Sequence, residues 1–199
     1  MAVDTSTGTK EEIIKAARAE FVNHGYEGAR LQQIADQIGV TKAMIHYYFN
    51  TKKRLFEQVY NESVEEIFGG FSPILEKNIP LFQKIEELVD ECLQKAQEQP
   101  EILCFVFTES GRKTDWLISL FNEQIELNLK LLEAQLAKAA SNYEIASVSA
   151  SQLILTIFAL CFYPVLSSPV NESLFKIDHT FNGNQKGIVL DTVLNWLTA

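Results

Sequence analysis

Residues 39–49 read Gly39-Val-Thr-Lys-Ala-Met-Ile-His-Tyr-Tyr-Phe49. Just upstream, Leu31, Ile34, Ala35 and Ile38 recur at the three- and four-residue spacing of a short amphipathic helix. Gly39 interrupts that helix, and Thr41 is a good N-cap for another over 42–48. Two short helices joined at a glycine form a helix-turn-helix pattern. The apolar Val40, Ile45 and Phe49 anchor the second helix in the unit's own core. Thr41, Lys42, Ala43, Met44, His46, Tyr47 and Tyr48 are left for other work. In such a motif the second helix enters the DNA major groove with its N-terminal residues near the base edges.

The periodicity stays helical in both directions. Thr9-Lys-Glu-Glu12 has the capping-box form and opens a helix over about 9–24, with Ile13, Ala17 and Phe21 on one face and Gly25 as its stop. A helix from Lys52 to about Phe68 carries Leu55, Phe56, Val59 and Tyr60, and Gly69-Gly70 breaks it. Further helices are predicted over 81–99, 101–110, 113–140, 149–166 and 187–197, with a polar loop at 169–187. No stretch reads as a strand, so the fold class is all-α. Short helices fill 1–51, which reads as a DNA-binding domain. Longer helices fill 52–199, a larger helical body, with 52–68 as the connecting helix.

The 199 residues carry a net charge of -9, which on average repels nucleic acid. The average hides an asymmetry. Residues 1–60 hold eight basic and seven acidic side chains, whereas 61–199 hold nine basic and nineteen acidic ones. Arg30, Lys42, Lys52, Lys53 and Arg54 face a single acid, Asp36, within 30–54. A phosphate backbone is attracted to that region and repelled elsewhere. Cys92, Cys104 and Cys161 are odd in number and far apart, which disfavours a disulfide framework or a zinc site and makes them small buried hydrophobes. The N-terminus has no signal-peptide pattern, and the longest apolar run, about 14 residues from Leu153, is too short for a bilayer. The reading is cytoplasmic.

Residues 10–60 resemble the tetracycline-repressor-like (TetR) family of bacterial transcription regulators. The resemblance rests on Phe21 with Gly25-Tyr26, Ile34-Ala35, Gly39-Val40-Thr41-Lys42, Tyr48-Phe49, Lys52 and Leu55-Phe56. The family's usual run is Gly-Val-Ser-Lys-Gly-Thr-Leu-Tyr-x-(Tyr/His)-Phe, then a loop and Lys. This chain departs at Ala43 for Gly, at His46 for Tyr, and at Arg30, where a small hydroxyl residue commonly starts the second helix. The resemblance implies a DNA-binding face of Arg30, Thr41, Lys42, Ala43, Met44, His46, Tyr47, Tyr48 and Lys52. It places Lys52 on a phosphate, and Arg30 can reach one through a charge-assisted bond. Ala43 and Met44 suit thymine methyl groups.

The resemblance further implies a homodimer on a palindromic operator, repression as the habitual outcome, and an effector pocket in the body. The most apolar helices, 149–166 and 187–198, are the expected dimer surface. Phe105, Phe107, Trp116, Phe121, Phe158 and Phe162 are the aromatic candidates for a pocket taking a small apolar effector, with Glu109 or Asn128 to orient it. His24, His46 and His179 are not spaced as metal ligands, and there is no Gly-rich phosphate loop or nucleophile elbow. An enzyme, a cofactor and a metal are therefore not expected. The alternative reading is a helical interaction protein whose helix-turn-helix no longer reads DNA.

Overall fold

Ile13, Ala17 and Phe21, one helical turn apart, are all fully buried. They lie on α1 (Thr5–Gly28), which breaks at Gly25, where φ is 65° and ψ 178°. The computed structural model describes residues 5–112, 116, 119, 120, 127–142, 144–176 and 184–199. Among them every regular element is a helix. After α1 come α2 (Leu31–Gln37), α3 (Lys42–Phe49), α4 (Lys52–Phe68), α5 (Phe71–Glu76) and α6 (Leu81–Glu98). Then follow α7 (Pro100–Gly111), α8 (Lys130–Ser141), α9 (Ala150–Leu166), α10 (Ser168–Phe175) and α11 (Gln185–Thr198).

Side-chain caps open α3, α4 and α9. Ser149 and Gln152 form a reciprocal capping box at the start of α9. Four predictions need correction. The helix expected from Thr9 begins a turn earlier at Thr5, because Ser, Thr and Gly each cost a helix only about 1 kcal/mol or less. The single helix expected over 113–140 does not hold, since Leu127–Leu129 are not helical and α8 starts at Lys130. There the Asn128 side chain accepts the Lys130 N–H at 3.4 Å, the local competition with backbone bonding that favours turns. The loop expected at 169–187 contains α10, because a proline is tolerated in a helix's first turn. The short α5 was not anticipated either.

The chain forms two compact units, Met1–Glu66 with Phe105–Ile125, and Ile67–Cys104 with Glu126–Ala199. The boundary falls inside α4 and inside α7. In the first unit the Phe56 ring meets Phe21 and Tyr26 at 5.0 Å, Tyr60 at 5.7 Å, and Phe105 and Trp116 at 5.8 Å. Edge-to-face pairs of this kind add about 0.5–1.5 kcal/mol each beyond their buried area. The Tyr60 hydroxyl donates to the Val106 carbonyl at 3.3 Å and lies 3.1 Å from Ser110 Oγ. Burial pushes its pKa up. Arg18 pairs with Glu66.

In the second unit α6 buries a stripe of Ile85, Leu88, Val89, Cys92, Leu93 and Ala96 and packs against α5, α8, α9 and α11. Cys92 and Cys161 are buried free thiols, and burial holds the Cys92 thiol well above the usual range. Cys104 is only half-buried. Phe71, Phe158 and Phe162 join in a chain of ring contacts at 5.1 Å. Among the described residues no single helix is long and apolar enough to cross a membrane.

Lys84 departs from the apolar stripe it belongs to. Its side chain is fully buried, and its ammonium donates to the Leu75 carbonyl at 2.8 Å, near the C-terminal end of α5. Burial disfavours the charged form and lowers its pKa from the usual 10.5. Below the folded pKa the penalty is complete. Between that value and 10.5 the unfolded chain binds the extra proton, so stability rises with pH. Urea unfolding from pH 7 to 10.5 should therefore show wild type gaining stability relative to Lys84→Met, with the difference flattening above 10.5.

Candidate nucleic-acid interface

Ile45 and Phe49 are buried and four residues apart, so they define the inward face of α3. Thr41, Lys42, Ala43, Met44, His46 and Tyr47 are exposed, and Tyr48 is half-buried. Tyr47 is 83% exposed, far more than a ring packed for stability would be. It stands edge-to-face on Tyr48 at 5.2 Å. Val40 is half-buried at the turn, where Gly39 takes φ 68°. Thr41 caps α3 by accepting the Met44 N–H at 3.3 Å from an extended backbone.

The join from α3 to α4 explains His46. Asn50 has φ 64° and ψ -52°, and the Thr51 N–H bonds back to the Phe49 carbonyl at 2.6 Å. That is a γ-turn of the strained hand. His46 Nδ1 lies 2.9 Å from the Asn50 carbonyl. A carbonyl only accepts, so Nδ1 is the donor in this contact. His46 thus braces the turn that sets α4 against α3. Lys10, His46, Tyr47, Asn50, Arg54 and Gln58 border an open groove beside it.

Lys52 is positioned from two sides. Its ammonium lies 4.9 Å from the Tyr26 ring centroid and donates to the Glu27 carbonyl at 3.4 Å. Thr51 caps α4 through the Arg54 N–H at 3.1 Å. Lys53 lies over Trp116 at 4.7 Å and near Glu57 at 3.7 Å. Arg30 is exposed at the start of α2, and its side chain makes no cap bond there. The capping group is instead the buried carboxylate of Glu20, which accepts the Arg30 N–H at 3.0 Å. Glu20 was missed in the sequence, although a helical-face reading of 13, 17, 20 and 21 turns it inward.

The six aromatic residues expected at a pocket are divided. Phe105 and Trp116 belong to the ring cluster of the first unit. Phe158 and Phe162 belong to the cluster of the second, where Phe158 also lines a narrow apolar crevice, too tight for water, with Phe71, Leu75, Leu88, Leu127, Ile154 and Ile157. Phe107 is exposed, and Phe121 lies outside the described residues. Asn128 is exposed. Glu109 is buried, but its carboxylate turns toward Gly25 and Tyr26.

An exposed, capped second helix braced against a third lysine-bearing helix defines a helix-turn-helix DNA-binding protein. A sequence profile of bacterial regulatory proteins of the tetR family matches residues 13–59. The chain is 29% identical over 180 residues to the HTH-type transcriptional repressor NicS of Pseudomonas putida, covering 85% of this chain and 82% of NicS. It is 32% identical over 110 residues to the HTH-type transcriptional repressor SCO4008 of Streptomyces coelicolor, about half of each chain (55% and 53%). Among solved structures, the transcriptional regulator FadR of Bacillus subtilis, in complex with stearoyl-CoA, shares the fold at TM-score 0.68 and 18% identity, covering 94% of this chain and 99% of FadR. Residues 13–59 thus carry the DNA-binding region of the tetR family, and the chain is a DNA-binding transcriptional regulator.

The cap at Thr41 is the local contact that starts α3. Thr41→Ala should lower stability by about 1 kcal/mol, within the usual 0.5–2 range for lost caps, as read from the midpoint of a denaturant melt.

Proposed function

We propose that this protein is a repressor that binds a palindromic operator as a homodimer and is released by a small apolar effector. The observation that carries the reading is the division of α3. Ile45 and Phe49 face inward, and Thr41, Lys42, Ala43, Met44 and Tyr47 face outward in the one locally basic region of an acidic chain. Lys42, Thr41 and Tyr47 read the major groove, with Ala43 and Met44 against thymine methyls. Arg30 and Lys52 bind phosphates, with Tyr48 and His46 at the edge of the contact. Residues 1–51 thus read DNA, and 52–199 dimerise and bind the effector. The repressors NicS and SCO4008 support the direction of regulation.

Dimerisation rests on an apolar surface in the second unit. Leu155 and Tyr163 are exposed on α9, at positions separated by two helical turns, and Ile188 and Trp196 are exposed on α11. Clustered exposed apolar side chains of this size mark an interface. The two helices from each subunit would pack as a four-helix surface. Half-sites then lie about 34–36 Å apart or a multiple of that, matching the two-fold axis.

The effector reading rests on the crevice around Phe71, Leu88 and Phe158. The crevice has no room even for a water molecule, so a ligand must open it. A ligand that prefers the widened state lowers operator affinity by its differential binding energy. The acyl-CoA bound by FadR supports an apolar, chain-like class.

Fluorescence anisotropy on DNA from upstream of its own gene, at two salt concentrations, tests the DNA reading. Wild type should bind selectively, with affinity falling steeply as salt rises. Lys52→Ala should weaken all sequences alike and flatten the salt slope by about one per subunit, whereas Tyr47→Ala should also change sequence preference. Absence of any sequence-selective binding would return the chain to the class of interaction proteins.

The dimer is tested separately. Leu155→Glu should shift the protein to monomer in sedimentation and lose operator affinity while keeping its helical circular dichroism.

A further inference from the structure

Glu109 is a buried carboxylate at the C-terminal end of α7, only 1% exposed. Its Oε2 accepts the Tyr26 N–H at 3.4 Å, and its Oε1 pairs with Arg112 Nε at 3.0 Å. The turn it grips is the break in α1. Gly25 takes φ 65°, a region that side chains rarely adopt. A Cβ there would sit 2.6 Å from Glu109 Oε1 and 3.1 Å from Arg112 Nη2. A side chain at residue 25 would push the carboxylate out of this position.

The same turn seats Lys52. The Tyr26 ring lies under its ammonium at 4.9 Å, and the next carbonyl, that of Glu27, accepts from it at 3.4 Å. Tyr26 is in turn edge-on to Phe56 at 5.0 Å and Trp116 at 5.5 Å. A flexible lysine loses rotamer entropy on binding a phosphate, and a fixed ring and carbonyl reduce that loss beforehand. We infer that Glu109 is a positioning residue for DNA binding, acting through the Gly25–Tyr26 turn to hold Lys52 where it meets a phosphate. The inference rests on the assignment of Lys52 to a phosphate. It gives α7 a part in operator affinity that does not pass through α3.

The test is operator affinity against salt for the full-length protein, with thermal melts alongside. Glu109→Gln keeps an oxygen for the Tyr26 N–H and should retain the wild-type salt slope. Glu109→Leu fills the space without an acceptor and should flatten the slope by about one per subunit, as Lys52→Ala does. Tyr26→Leu leaves the carboxylate in place but removes the ring, and it should flatten the slope equally. It reads the same seat if Glu109→Leu folds poorly. In a Lys52→Ala background neither Glu109→Leu nor Tyr26→Leu should lower affinity further.

A wild-type slope in a folded Glu109→Leu, or in Tyr26→Leu, with Lys52→Ala flattened, overturns the inference alone. So does a loss of affinity that is as large without Lys52 as with it. A Lys52→Ala protein with the wild-type slope overturns the phosphate assignment and the inference with it.

Discussion

The Phe56 ring is the contact on which the N-terminal unit depends. It is fully buried and touches rings from α1 on both sides of the break at Gly25, from its own helix and from α7. Lys52 precedes it by four residues, one helical turn on the same face of α4. Burying Phe56 therefore fixes where α4 begins and where the Lys52 ammonium emerges. The γ-turn at Asn50 has to fit between that fixed start and the equally fixed end of α3 at the buried Phe49. A strained turn of this kind persists only when its surroundings over-determine it. Here two buried phenylalanines and the His46 bond to the turn carbonyl supply the constraint.

Acidity and DNA binding are reconciled by where the carboxylates point. Of the acids in the N-terminal unit, Glu20 is buried against the Arg30 amide, and Glu66 is paired with Arg18. Glu109, contributed by α7, is buried against the Tyr26 amide and Arg112. Glu20 and Glu109 thus meet backbone donors and an arginine out of solvent, while Glu66 meets Arg18 at a half-buried site. The exposed face of α3 and the starts of α2 and α4 carry Lys42, Arg30 and Lys52. A net charge of -9 is then no obstacle to binding, because screening confines each surface charge to a range of roughly 8–10 Å.

The helix-turn-helix was legible because each of its signals is local. Glycine at a positive φ, threonine at a cap and apolar residues one turn apart need no knowledge of the rest of the chain. The body was less legible. Its helices share an apolar pattern that cannot distinguish core from cavity from interface, and the six aromatic residues expected together at a pocket separate into different clusters. The single helix expected over 113–140 failed at Leu127–Leu129, where the Asn128 side chain accepts the Lys130 N–H. Glu109 was singled out as an inward polar group, but its partner lies 83 positions away in the chain, and no local pattern points there.

The sequence by itself determined the all-helical class, the position of the helix-turn-helix and the outward set from Thr41 to Tyr47, because these follow from helical period and capping chemistry. It also placed the basic residues around that motif. Tertiary structure decided what those residues lean on. It turned Glu20 and Glu109 onto backbone amides, gave His46 the turn to brace, and seated Lys52 on Tyr26 and Glu27. The Glu109 and Lys52 contacts are made when helices distant in the chain bury a shared apolar face, and the geometry of that burial exists only once the helices have met.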